Sequence, residues 1–430
     1  MKKIVIVLVA SCFPFLFANA QSETQSFDVG GIKVIFKPTT KNVINVRLYF
    51  RGGVTNYPAD KAGIENIALA ATMRCGSGKY SAKAVRDTSD NYGILLSGGS
   101  SLDYGYLQVN CISKYFNQAW DLFSEAVMDP AFDAKEFDLL KNETIAFNKE
   151  YQANPVNHLQ ELQRQNAFKN TPYAVNPAGT ADYIAGLTTN DVSNYYKGLL
   201  NKNRVFIVVV GNLTKQDVYE KILSAFGNIP SAPYTSAELR IPELKGNTLT
   251  SESSDLTTNF LGATMNAPEY TSIYSVPFRM GMMGIGGNLV RYLRSDRSLS
   301  YAPSSNMFAL RVPYAELNTG TTNPKEAMFG MVKVLKDVQT NGFNEQWLQH
   351  LKNLFLTSSY INDQSASAIA ANLGLAEILG GWQYAEDFPK LVQMVTVYQV
   401  NMALSTYISG LKWTYLGNTD AIDGFKPPAY

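Results

Sequence analysis

The sequence predicts an α+β protein built as two domains, and three observations carry that expectation. The chain has 430 residues, more than one ordinary core accommodates and suited to two units of about 200 residues each. Stretches that alternate apolar and polar residues are followed by longer stretches with helical spacing, once on each side of the middle. Between them, residues 227 to about 247 contain Pro230, Pro233 and Pro242 and keep no sustained period, which marks a linker. The linker proper is placed at 236–247, with an N-terminal domain at 21–235 and a C-terminal domain at 248–430.

Composition narrows the class. Hydrophobic residues make up 46% and charged residues 17%, as in a folded globular chain rather than a disordered one. Residues 1–20 read as a signal peptide. Lys2 and Lys3 give the positive start, Ile4 to Ala10 and Phe13 to Phe17 the apolar run, and Ala18-Asn19-Ala20 a small-x-small cleavage site. This points to a periplasmic or secreted protein. A lipid anchor at Cys12, within Val9-Ala10-Ser11-Cys12, is the minority alternative. Cleavage removes two lysines and no acid, leaving basic and acidic residues nearly balanced, so nothing favours a nucleic-acid partner. No later stretch is long and apolar enough to span a bilayer. Cys75 and Cys111 remain, either as a pair in an oxidising compartment or as two buried thiols.

In chain order, Phe27 to Phe36 reads as a hairpin turning at Gly30-Gly31, and Val43 to Phe50 as a longer strand closed by Arg51-Gly52-Gly53. Residues 59–75 read as a buried helix, with Asp60 a candidate cap and Ile64, Ile67, Ala68, Leu69 and Ala71 leaving little polar surface. A short helix from Val85, paired strands at 93–98 and 104–109, and helices at 114–128 and from Asp133 follow. Val205 to Gly211 is a buried strand, and Lys215 to Phe226 a helix. The glycine-rich 75–80 stretch lacks the Lys-Ser/Thr ending of a phosphate loop. His158 and His350 are the only histidines, and each reads as a structural helix residue, too few for an ordinary zinc site.

Ala62-Gly63-Ile64 opens a stretch that resembles the zinc helix of the insulinase-like and mitochondrial-processing-peptidase-like metallopeptidases. In that family an Ala-Gly-Leu segment runs into an inverted His-x-x-Glu-His motif. Here the first histidine falls on Asn66, the glutamate on Leu69 and the second histidine on Ala70. Zinc requires imidazole, thiolate or carboxylate ligands, and the motif glutamate must take a proton from water. Leu69 and Ala70 do neither, and Asn66 is a poor substitute. The third ligand position aligns with Glu143, a leftover ligand by resemblance and a surface glutamate by its residues alone. Thr171-Pro172-Tyr173-Ala174 further resembles the family's His-Pro-Tyr-Gly stretch. The resemblance identifies the chain as a non-catalytic member. It implies two homologous halves, each a mostly antiparallel sheet with helices packed on one face, enclosing a peptide-binding cavity.

In the second half, strands are expected within 248–263, 302–310 and 315–321, and helices at 323–341, 344–358 and 366–380. No final Val-Val-Gly-like strand is evident after Leu411, so the last unit is expected to be shortened. Gly286-Gly287, Leu293-Arg294 and Leu299-Ser300-Tyr301 resemble the family stretch whose arginine and tyrosine face the zinc half across the cavity. By resemblance, Arg294 and Tyr301 assist catalysis in trans. By the residues alone, they are a helix-end cation and a ring at the core's edge. The resemblance therefore implies a subunit with no cofactor of its own that binds peptide and serves a zinc-bearing partner. A stand-alone peptide-binding or scaffolding protein of the cell envelope, with a homodimer as one form of it, is the alternative. No Gly-x-Ser-x-Gly elbow supports an independent hydrolase.

Overall fold

Near-continuous burial along the central strands gives the first sheet two covered faces. The computed structural model describes residues 23–430, so the signal peptide and Cys12 lie outside the described residues. Strands β1 (Gln25–Val29), β2 (Ile32–Pro38), β3 (Val43–Arg51), β4 (Leu95–Ser100), β5 (Tyr104–Ile112) and β6 (Val205–Gly211) form a sheet ordered β1-β2-β6-β3-β5-β4. β2 runs parallel to β6, and the other pairs are antiparallel. All of β6 is buried. Its Ile207 and Val209 face one core, and Phe206, Val208 and Val210 face another. That is the period-two geometry of a strand covered on both sides.

Helices α1 (Ile64–Arg74), α2 (Ala82–Tyr92), α3 (Phe116–Met128), α4 (Ala134–Ala153), α5 (Pro155–Ala167), α6 (Ala181–Gly186), α7 (Thr189–Leu199) and α8 (Lys215–Phe226) complete the first half. Residues of α1, α3 and α7 join Ile207 and Val209 in the larger core. Residues 230–245 then run without helix or strand.

The second half repeats the plan. β7 (Gly246–Ser253), β8 (Asn259–Asn266), β9 (Ser304–Phe308), β10 (Tyr314–Thr321) and β11 (Gly410–Gly417) are ordered β7-β11-β8-β10-β9. These match β2, β3, β4, β5 and β6 in chain order, including the parallel pair at the same place, β7 beside β11. Helices α9 (Ser275–Leu289), α10 (Pro324–Asn341), α11 (Glu345–Asn362), α12 (Ala366–Leu379), α13 (Gln383–Met394) and α14 (Val397–Tyr407) belong to it. Strand β11 corrects the expectation of a missing last strand. Lys412 and Thr414 interrupt its apolar string, yet Leu411, Trp413 and Tyr415 alternate into the second core.

Each half lends the other a helix. Ala366, Ile369, Ala370 and Leu373 of α12 cover Ile35, Tyr49 and Phe206 on the far face of the first sheet. Gly374 permits that approach, because a Cβ there would run into the Tyr49 ring. Glu377 on the same helix accepts from Lys33 Nζ at 2.8 Å and from Arg51 Nη2 at 2.8 Å. In return, α5 lies on β8 and β11. Asn166 of α5 donates to Thr414 Oγ1 at 3.1 Å, and His158 Nε2 meets Glu252 Oε1 at 2.6 Å. This second seam is polar: Gln163, Thr264, Glu316 and Asn318 are all buried. The turn before β10 is tied in as well, since Arg311 N donates to Asp103 Oδ2 at 2.9 Å and Val312 N to Tyr173 Oη at 3.2 Å.

Candidate functional site

Helix α1 begins at Ile64, and its cap is Gly63 rather than Asp60, which sits in a preceding 3-10 turn. Gly63 has φ 96°, and a Cβ there would lie 2.7 Å from Gly179 Cα. Glycine is therefore required by a left-handed backbone and by a close backbone approach. The helix is nearly all buried, as its apolar run predicts.

The degenerate motif positions have taken structural duties. Asn66 Oδ1 accepts from Ser100 N at 3.0 Å, tying α1 to the end of edge strand β4. Leu69 is fully buried in the first core, and Ala70 packs partly buried against it. Two turns beyond Asn66 on the same helical face, Arg74 reaches α4. Its Nε donates to Glu136 Oε1 at 2.7 Å and its Nη2 to Glu143 Oε1 at 3.1 Å, while Nη1 bonds Glu143 Oε2. Arg86 Nη1 also donates to Glu136, at 3.2 Å. These bonds to Arg74 hold both carboxyls below the usual glutamate range. Glu143 is thus partnered by a guanidinium on the helix where zinc ligands would stand.

The residues do not fit zinc. Asn66, Leu69 and Ala70 offer one neutral amide oxygen, already accepting a backbone N–H. Among the described residues, no group of three or more His, Cys, Asp or Glu side chains is placed to hold a metal ion. Cys75 and Cys111 are both buried and free, and burial pushes their thiols up, Cys75 to about 12 and Cys111 to about 11.

Two groups escaped the sequence reading. Arg74 is one. The other is Glu65, next to Asn66 and wholly buried. Its Oε2 accepts from Asn56 Nδ2 at 2.8 Å and from Tyr195 Oη at 2.6 Å. Burial raises its pKa to about 7 against the opposing pull of those bonds. The available signal was one acid among the apolar residues 64–71.

Arg294 and Tyr301 come together in the second half. Helix α9 continues as a π-helix over Val290–Asp296, which holds Arg294 in its last turn. Ser298 then adopts φ 53°, and Leu299 N donates to Leu293 O at 2.7 Å. The chain folds back, and the Arg294 guanidinium sits 4.4 Å from the centre of the Tyr301 ring. Tyr301 is 78% exposed, so it is not a core-edge ring. Neither side chain has a hydrogen bond or ion pair among the described residues.

Two sheet-and-helix halves with one topology, and a first helix emptied of metal ligands, define a peptidase-like fold with no metal-holding cluster among the described residues. Residues 33–181 match the family described as insulinase, peptidase family M16, and residues 186–355 match the peptidase M16 inactive domain. The chain belongs to the M16 insulinase family, as a member lacking the zinc motif. A Helicobacter pylori protein named non-peptidase homolog YmxG is 19% identical over 86% of this chain and 87% of its own length. A Bacillus subtilis protein named uncharacterized zinc protease YmxG is 19% identical over 82% and 87%. Among solved structures, the peptidase M16 inactive domain from Pseudomonas fluorescens superposes with a TM-score of 0.82 at 20% identity, covering 92% of this chain and 98% of that one. The periplasmic protease PqqL from Escherichia coli gives 0.78 at 16% identity, over 96% of this chain and 49% of its own.

Proposed function

We propose that this chain is the zinc-free, non-catalytic subunit of a heteromeric metallopeptidase of its family. In the periplasm or outside the cell it binds extended peptide and supplies Arg294 and Tyr301 to a zinc-bearing partner. The observation that carries this reading is the Arg294–Tyr301 pair, exposed, mutually stacked and bonded to nothing else among the described residues. π-helical turns of this kind recur at functional sites. A guanidinium and a phenol are donors suited to a carbonyl oxygen on which charge develops. Edge strands β4 and β9 leave backbone groups open to an added peptide strand. The E. coli protease, at twice this length, has room for two such units in one chain.

The test is kinetic. The chain is reconstituted with a zinc-motif relative from the same organism, and peptide cleavage is measured for wild type, Arg294→Ala and Tyr301→Phe. The expected loss in kcat is about 10- to 1,000-fold, the scale of removing one transition-state donor. Unchanged cleavage in both variants ends the assisting role, and stoichiometric zinc held by the isolated chain ends the zinc-free reading.

The Arg74–Glu143 pair favours a second reading, because it completes the emptied site with no outside group. In that reading the chain is a stand-alone peptide-binding or scaffolding pseudopeptidase of the cell envelope. Affinity recovery from native envelopes separates the two. A zinc-motif relative in equal amount supports the subunit, and self-association alone supports the scaffold.

A further inference from the structure

A cavity of about 570 Å³ opens where α9, α11, α12 and α13 meet the end of β2. That volume lies within the range of small-molecule sites. Its wall carries Arg279 from α9, Phe355 and Ser359 from α11, Phe388 from α13, and Tyr270. The charges in the wall are unequally satisfied. Lys37 Nζ bonds both oxygens of Glu386, at 2.9 and 3.1 Å. Asp363 lies in the fields of Lys37 and Lys41. Arg279 has no such answer: among the described residues its guanidinium makes no hydrogen bond and no ion pair.

Its surroundings are rings. The guanidinium stands 5.6 Å from the centre of Phe388. Phe388 lies 6.3 Å from Phe355, and Tyr270 stacks obliquely on Tyr384 at 4.6 Å. Burial weakens the hold of Arg279 on its proton, with only the two tyrosines acting the other way. Withdrawing a cation from water is costly unless an anion meets it. A guanidinium carries five N–H donors in a planar fork matched to a carboxylate. Among the described residues none of the five is used, and the rings of Phe355, Phe388 and Tyr270 share the wall with them.

We propose that this cavity binds a small organic carboxylate with an aromatic body, its carboxylate on Arg279 and its ring among Phe355, Phe388 and Tyr270. The assignment is independent of the Arg294–Tyr301 pair, which lines no part of this cavity.

The test uses the full chain and three probes: 3-phenylpropionate, its uncharged amide, and inorganic phosphate, read by ligand-observed NMR titration. 3-Phenylpropionate is expected to bind saturably and the amide at least tenfold more weakly. Arg279→Met is expected to lower carboxylate affinity tenfold or more. Ser359→Trp, which keeps Arg279 and fills the cavity, is expected to abolish binding. Circular dichroism establishes that both variants fold. Equal affinity for acid and amide, undiminished binding in both variants, displacement of the acid by equimolar phosphate, or no saturable binding up to about 10 mM would each overturn the proposal.

Discussion

Glu65 and Glu316 are acids enclosed where a carboxylate is costly. Burial raises Glu65 to about 7 and Glu316 to about 8, with hydrogen bonds pulling the other way in each case. Both folded values lie above the unfolded value of about 4.3. Between that value and pH 7 to 8 the native state therefore holds more protons than the unfolded chain. Stability from these groups is present at low pH and is lost as pH rises through the folded values. The urea midpoint is expected to be higher at pH 5.5 than at pH 8, with Glu65→Gln and Glu316→Gln each removing part of the fall. The effect per group is on the order of 1 kcal/mol. An equal midpoint at both pH values, or an undiminished slope in the double variant, would count against this. At this scale the substitutions at Asn66, Leu69 and Ala70 were legible because the motif is contiguous. The Arg74–Glu143 pair was not, because its members stand 69 residues apart on different helices.

At the scale of elements, α1 depends on how it is entered. Gly63→Ala places a side chain on a left-handed backbone and against Gly179. The expected loss is more than about 2 kcal/mol in urea unfolding. Gly186→Ala is the matched control, since a Cβ there meets nothing within 4 Å. It is expected to be neutral or stabilising by up to about 1 kcal/mol. Equal effects of the two would show that the entry geometry is unimportant. The alternation in β2 and β5 and the unbroken apolar run of β6 placed those strands correctly from sequence. Helix α1 was read correctly in body but not in cap, since Asp60 stands only three residues before the true cap, Gly63. β11 escaped because one lysine and one threonine break its apolar string, although every residue of the strand but Lys412 is buried.

For the whole molecule, Glu377 joins the halves. Its carboxylate is nearly buried and answers both Lys33 and Arg51. Glu377→Gln leaves two cations facing a neutral amide. The expected cost is about 2 kcal/mol, below that of breaking a fully buried pair, because Lys33 is 44% exposed. Hydrogen exchange is expected to quicken in residues 366–379 and stay unchanged in 64–74. Unaltered protection of α12 would contradict the clamp. None of this exchange of helices was legible in the sequence. The apolar faces of α12 and β6 say that each is covered, and nothing in their spacing says by what.

The loan of α12 has a consequence for synthesis. When a ribosome has delivered the chain as far as residue 245, all six strands of the first sheet exist, and Ile35, Tyr49 and Phe206 still have no lid. That lid, Ala366–Leu373, is made more than a hundred residues later. The amino-terminal half therefore waits, greasy on one side, until most of its sibling has been translated, and a chain interrupted at the linker is a natural client for a holding chaperone.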